Sequence, residues 1–105
     1  MATNRLDILK QMVEQDPSNT FARYGLAMEY AKSQEFTAAV TEFRGLLSQD
    51  ADYAAAYYHG GQALEKLGEL EQARDLYEKG IEATTRKGDA HTRAELQAAL
   101  DLLPV

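Results

Sequence analysis

The sequence of 105 residues contains no cysteine, no tryptophan and only two prolines. Without cysteine the chain has no disulfide, no thiolate metal site and no thiol nucleophile. No apolar run approaches the roughly 18 residues that a membrane-spanning helix needs. The first residues, MATNRLDILKQ, lack the apolar stretch that is typical of a secretory leader. We therefore expect a cytoplasmic protein with no membrane partner.

Positive charge is also scarce, since 11 basic side chains stand against 17 acidic ones and the net charge is −6. This balance disfavours binding to nucleic acid, whose non-specific affinity comes mainly from Lys and Arg side chains that neutralise phosphates. It disfavours anionic membrane surfaces for the same reason. A content of 45% hydrophobic and 27% charged residues is typical of one ordinary globular domain.

One short stretch raises the question of catalysis, because residues 57–61 read YYHGG. A His-Gly-Gly run supplies oxyanion-binding N–H groups in some esterases. Those enzymes also need a serine on a strand-to-helix elbow, but there is no Gly-x-Ser-x-Gly sequence and no predicted strand. Only two histidines are present, without regular acidic spacing around them. We predict no catalytic, cofactor or metal site, and we interpret His59 as a solvated residue on a helix surface.

The apolar residues recur at helical spacing between short polar breaks, and no stretch alternates with a period of two. This pattern predicts an all-α chain. Four residues are expected to cap helix N-termini: Asn4, Asn19, Asp52 and Asp89. Six helices are predicted, over about 4–15, 20–32, 36–49, 53–67, 70–86 and 89–102.

A repeat with a period of 34 residues relates the middle of the chain to itself. Chemically similar residues recur at this offset, for example Phe43 and Tyr77, and several identical residues do so too. A helix pair repeated at this period is typical of a solenoid, in which each unit buries its apolar face on its neighbours. The identical pairs include Ala22 and Ala56, Tyr24 and Tyr58, Lys32 and Lys66, Glu35 and Glu69, and Ala39 and Ala73.

These positions resemble the tetratricopeptide repeat, a 34-residue helix–turn–helix unit. The second copy carries Tyr57, Gly60, Gly61, Leu64, Gly68, Leu70, Ala73 and Tyr77, and the first carries Leu26, Ala27, Tyr30, Phe36, Ala39 and Phe43. The first copy departs from the pattern at Arg23, where an aromatic residue is usual, and at Gln34, where glycine is usual. The resemblance implies a right-handed solenoid of antiparallel helix pairs. In this interpretation 1–105 is a single domain, divided into a capping half-repeat (1–19), two repeats (20–53 and 54–87) and a capping helix (88–105).

The repeat register explains the paired glycines by packing. Gly61 aligns with Ala27, and both are expected to be small because the two helices of a repeat approach closely there. Ala39 and Ala73 are predicted to be buried at the same crossings. Gly60 aligns with Leu26, and we expect Tyr57 or a neighbouring tyrosine to fill the space beside it.

The resemblance also implies a function, because the first helix of each tetratricopeptide repeat lines a concave groove that binds peptide segments. We therefore predict a non-catalytic protein–protein interaction module, a scaffold or adaptor, whose partner is another protein or a peptide segment. Tyr24 and Tyr58 are expected to present accessible rings, since the core pattern does not require them. The predicted groove residues are Phe21, Tyr24, Met28, Lys32, Tyr58, Gln62, Glu65 and Lys66.

An alternative interpretation is a structural protein that self-associates. The last predicted helix carries apolar residues around most of its circumference. A single packing contact cannot cover this much apolar surface. Leu96, Leu100 and Leu103 form one stripe, and we regard it as the possible face of a weak homodimer.

Overall fold

A computed structural model describes residues 4–104, which contain six helices and no strand. The predicted and observed bounds differ by no more than one residue at any end. Residues 1–3 and 105, which belong to the predicted capping segments, lie outside the described part. The helices are α1 (Arg5–Gln15), α2 (Thr20–Lys32), α3 (Phe36–Gln49), α4 (Ala54–Lys66), α5 (Leu70–Lys87) and α6 (Ala90–Leu102).

Three of the four predicted N-caps are confirmed. The side chains of Asn4, Asn19 and Asp89 each accept a hydrogen bond from the backbone N–H three residues further on, and they satisfy donors that a helix leaves without partners. The prediction for Asp52 is wrong. Tyr53 is the residue before α4 and makes no side-chain cap, whereas the Asp52 carboxylate accepts a hydrogen bond from Arg86 at 3.0 Å.

The helices stack in the order of the chain into an elongated body of 47 × 28 × 19 Å. Each helix packs against the next, and α4 also contacts α2 and α6. The even-numbered helices therefore lie side by side. This arrangement confirms the predicted solenoid of antiparallel helix pairs.

Small residues sit where the helices cross, as the repeat register predicted. Ala27, Ala39 and Ala73 have no exposed surface, and Gly61 is buried. A Cβ atom on Gly61 would lie 2.1 Å from Cε1 of Tyr77, so the tyrosine ring takes the space that a side chain would need.

The space beside Gly60 is filled differently from the prediction. A Cβ atom at this position would lie 2.8 Å from Cδ2 of Leu76 and 3.4 Å from Cβ of Phe43. The aliphatic end of Leu76 therefore occupies the place that we assigned to a tyrosine. Tyr57 packs instead over Gly80, because a Cβ atom added to Gly80 would lie 2.6 Å from the Cβ atom of Tyr57.

The predicted dimer face on α6 lies mostly inside the chain. Leu96 is fully buried, Leu103 is 6% exposed and Leu100 is partly buried against the same core. These three leucines are therefore not free to form the expected dimer face, because they pack against the core of their own chain. Leu102 is the large apolar residue that α6 leaves in solvent, with 85% of its surface exposed.

Candidate functional site

All eight predicted groove residues lie on two helices that contact each other, α2 and α4. We call this set the groove face: Phe21, Tyr24, Met28, Lys32, Tyr58, Gln62, Glu65 and Lys66. On α2 the members follow one another at steps of three or four residues, and on α4 both Glu65 and Lys66 lie within four residues of Gln62. The members on each helix therefore share one side of it. Phe21, Lys32 and Lys66 are exposed, and the other five are partly buried.

The two tyrosines of the groove face are less accessible than predicted. Tyr24 makes an edge contact with Phe43 at a centroid distance of 6.3 Å and lies 5.3 Å from the ring of Tyr53. Burial is the main cause that raises the pKa of Tyr24, and the neighbouring Tyr53 adds to it. Tyr58 also packs against the core. Both rings therefore stabilise the fold as well as presenting an edge to solvent.

His59 is not the solvated surface residue that we expected. Its ring stacks on Phe43 at 6.4 Å with an interplanar angle of 19°, and it makes edge contacts with Tyr24 and Tyr58. Burial lowers the pKa of His59, and the carboxylate of Glu95 opposes this effect. The imidazole is thus part of an aromatic cluster beneath the groove face.

A polar network joins α5 to the groove face. The Tyr77 hydroxyl donates to the carboxylate of Glu65, and the Gln62 amide donates to the Tyr77 oxygen at 2.7 Å and to Glu65 at 3.4 Å. Burial, followed by the hydrogen bond to Glu65, raises the pKa of Tyr77 well above its usual range. Tyr77 therefore stays protonated and holds Glu65 in place through a donated hydrogen bond.

Sequence reasoning assigned Tyr77 to the core alone and did not include Tyr53 or His59 in the site. The Tyr77 side chain is indeed fully buried, but its ring crosses over Gly61 and its hydroxyl lies within hydrogen-bond distance of Gln62. One signal was available, because Tyr replaces the Phe43 of the first copy at the same repeat position. A hydroxyl added to a core ring needs a partner, and Glu65 supplies it.

Comparison with known proteins identifies the repeat. A family model described as tetratricopeptide repeat matches residues 54–85. A tetratricopeptide repeat domain protein from Salinibacter ruber has a solution structure that is 38% identical to this chain, with 81% of this chain and 86% of that chain covered and a TM-score of 0.75. The chain belongs to the tetratricopeptide repeat family.

Two further relatives match most of the chain. The solution structure of a protein from Bordetella parapertussis is 30% identical in sequence and has a TM-score of 0.81. The match covers 95% of this chain and 87% of the Bordetella chain. A tetratricopeptide repeat-containing protein of Pseudomonas aeruginosa is 26% identical over 92 residues, which is 88% of each chain. Tetratricopeptide repeats generally mediate protein–protein interaction and are generally non-catalytic scaffolds. Within residues 4–104, no helix is both long and apolar enough to cross a bilayer.

Proposed function

We propose that this tetratricopeptide repeat protein is a non-catalytic interaction module that binds a peptide segment of another protein on its groove face. It acts as a scaffold or adaptor, with two complete repeats in 20–53 and 54–87 between the capping segments 1–19 and 88–105. The cytoplasmic location expected from the sequence remains a prediction.

The exposure of Phe21 carries this proposal. Phe21 leaves 72% of its surface in solvent, although burial of a phenylalanine is worth about 1.5–3 kcal/mol. It lies one helical turn before Tyr24, whose ring is backed by Phe43 and Tyr53. An exposed aromatic residue next to rigid, partly buried tyrosines is typical of the anchors that dominate binding at protein interfaces.

The self-association alternative has less support. Its face required Leu96 and Leu103 to be available to a second copy, and both are buried against their own chain. A dimer built on Leu102 alone would bury one large side chain per protomer from α6, which is small against the cost of association.

A peptide selection tests the proposed function. Random 12-residue peptides displayed on phage are selected against the wild-type protein, and the affinity of a selected peptide is measured by fluorescence anisotropy. We expect Phe21→Ala to weaken the peptide at least about tenfold, or about 1.4 kcal/mol. Circular dichroism should show an unchanged melting temperature, because Phe21 contributes little buried area.

Ile8→Ala provides the matched control, since Ile8 is also an exposed large apolar residue (47%) but lies on α1, which carries no residue of the groove face. Its variant should bind the peptide with unchanged affinity. Binding on the groove face is contradicted if both variants weaken the peptide affinity equally, or if neither variant weakens it.

A further inference from the structure

The two repeats present different chemistry at equivalent positions of the groove face. The second repeat carries Gln62, Glu65 and Tyr77, and these side chains are joined by hydrogen bonds. The residues 34 positions earlier are Met28, Ala31 and Phe43, none of which carries a polar side chain. At these three positions the first repeat is therefore apolar, and the second is polar with one carboxylate.

Glu65 is a partly buried carboxylate whose hydrogen bonds come from neutral donors. The Tyr77 hydroxyl and the Gln62 amide both bond to its Oε2 atom, and within residues 4–104 no hydrogen bond reaches Oε1. None of the ion pairs in that range includes Glu65. A carboxylate that has lost part of its hydration without gaining a cation is stabilised further by a charged donor.

We propose that Glu65 binds a Lys or Arg side chain of the partner segment, while Phe21, Tyr24 and Met28 bind a large apolar side chain of the same segment. This inference rests on the proposed function and names the chemistry of the peptide that the groove face accepts. Tyr77 and Gln62 act as positioning residues, because they hold the carboxylate through its Oε2 atom and leave Oε1 to the ligand.

Geometry restricts the spacing of the two ligand side chains. Packed helices lie about 8–10 Å apart, and an extended peptide advances about 3.3 Å per residue. Glu65 is equivalent to Ala31 in the repeat, and the three apolar residues of α2 precede Ala31 by about 3–10 residues, or about 5–15 Å along the helix axis. The apolar site and the carboxylate are therefore about 9–18 Å apart, which corresponds to about three to five residues of extended peptide. The basic side chain is expected about three to five positions from the apolar one.

The groove face also contains Lys32 and Lys66, which raise the opposite possibility of an acidic ligand. Both lysines are exposed, so water and salt screen any ion pair that they form. Glu65 is partly withdrawn from solvent and held by two hydrogen bonds, so an ion pair there is screened less. The partly buried carboxylate, rather than the exposed ammonium groups, is thus the stronger charge for recognition.

The test repeats the phage selection with three proteins: wild type, Glu65→Gln and Glu71→Gln. Glu71 lies on α5 and is exposed, so its variant makes the same change of charge away from the groove face. Wild type and Glu71→Gln should both enrich peptides with a Lys or Arg about three to five residues from a large apolar residue. Glu65→Gln should lose this enrichment, and its Kd for a wild-type-selected peptide should rise at least about tenfold.

A matched peptide separates recognition from a general effect on folding. Replacing the basic residue of the selected peptide by norleucine removes the charge and keeps an apolar stem. Against this peptide Glu65→Gln should bind as well as wild type, because there is no longer a cation to lose. Tyr77→Phe should weaken the basic peptide and leave the norleucine peptide unaffected, which a purely structural role of Tyr77 would not produce.

The outcomes distinguish this inference from the function on which it rests. Peptides that depend on Phe21 but lack an enriched basic residue, or that bind equally to wild type and Glu65→Gln, overturn the cation site and leave the interaction module intact. Enrichment of acidic peptides that depend on Lys32 or Lys66 also overturns it. If no selected peptide responds to Phe21→Ala or to Glu65→Gln, both proposals are wrong.

Discussion

The ring of Tyr77 occupies the space in which a side chain of Gly61 would lie, with Cε1 only 2.1 Å from the position of an added Cβ. This contact explains why a glycine is found in the middle of α4, where it costs about 0.5–1 kcal/mol relative to alanine. The contact also shows that Gly61 in the YYHGG stretch has a packing role, because it allows α4 and α5 to approach closely. The same contact directs the Tyr77 hydroxyl toward Glu65.

Gly61→Ala is predicted to lower the free energy of unfolding by about 1–3 kcal/mol, because the ring of Tyr77 is fully buried and cannot move away. Gly25→Ala is the matched control, also in the interior of a helix. Its added Cβ would lie 3.0 Å from Cδ2 of Leu9, so this buried side chain would have to shift far less than the ring of Tyr77. Urea denaturation should show a smaller loss of stability in the control than in Gly61→Ala, and equal stability of both variants would contradict the packing described for Gly61.

Gln34→Gly is predicted to stabilise the protein by about 0.5–1 kcal/mol. Gln34 has a φ of 63°, the left-handed region that glycine adopts without a steric penalty. The equivalent residue of the second repeat is Gly68, with a φ of 77°. The reverse change, Gly68→Gln, should destabilise by a similar amount, and denaturation curves in which both changes act in the same direction would show that the turns are not equivalent.

Stability should fall as the pH is lowered through the ordinary pKa of histidine, and His59 should contribute to that fall. Burial lowers the pKa of His59 in the folded state, so below about pH 6.5 the unfolded chain binds the proton more tightly and is stabilised relative to the folded chain. The contribution is present above that pH and is lost as the pH falls through the folded-state pKa.

Urea midpoints measured between about pH 7.5 and pH 5 check this linkage. The slope against pH should be smaller in His59→Gln than in wild type. An unchanged slope in His59→Gln would contradict the buried position of this ring.

The sequence predicted the helices well because their apolar period and turns are local properties. The crossings at Ala27 and Gly61 were predictable too, since the repeat aligns them and both are small. The roles of His59 and Tyr24 were not, because the periods of α4 and α2 do not reveal that Phe43 of α3 contacts both rings.

Helix α6 shows the same limit. A leucine-rich helix at the end of a chain gives no indication of how much apolar surface its neighbours cover. Here α5 is four residues longer than α3, with 18 residues against 14, and Leu96 is buried against the core that these helices build. The polar network of Gln62, Glu65 and Tyr77 also depends on how α4 and α5 meet, which a repeat alignment does not contain.

The most direct test of the account is to map where a selected peptide binds. Two-dimensional ¹H–¹⁵N spectra of the protein are recorded during titration with a phage-selected peptide that carries an apolar and a basic residue. We predict that the amide signals that shift most belong to α2 and α4, around Tyr24, Met28 and Glu65, with small changes in α3. Shifts concentrated on α3 and α5, or on the exposed side of α6, would contradict peptide binding on the groove face.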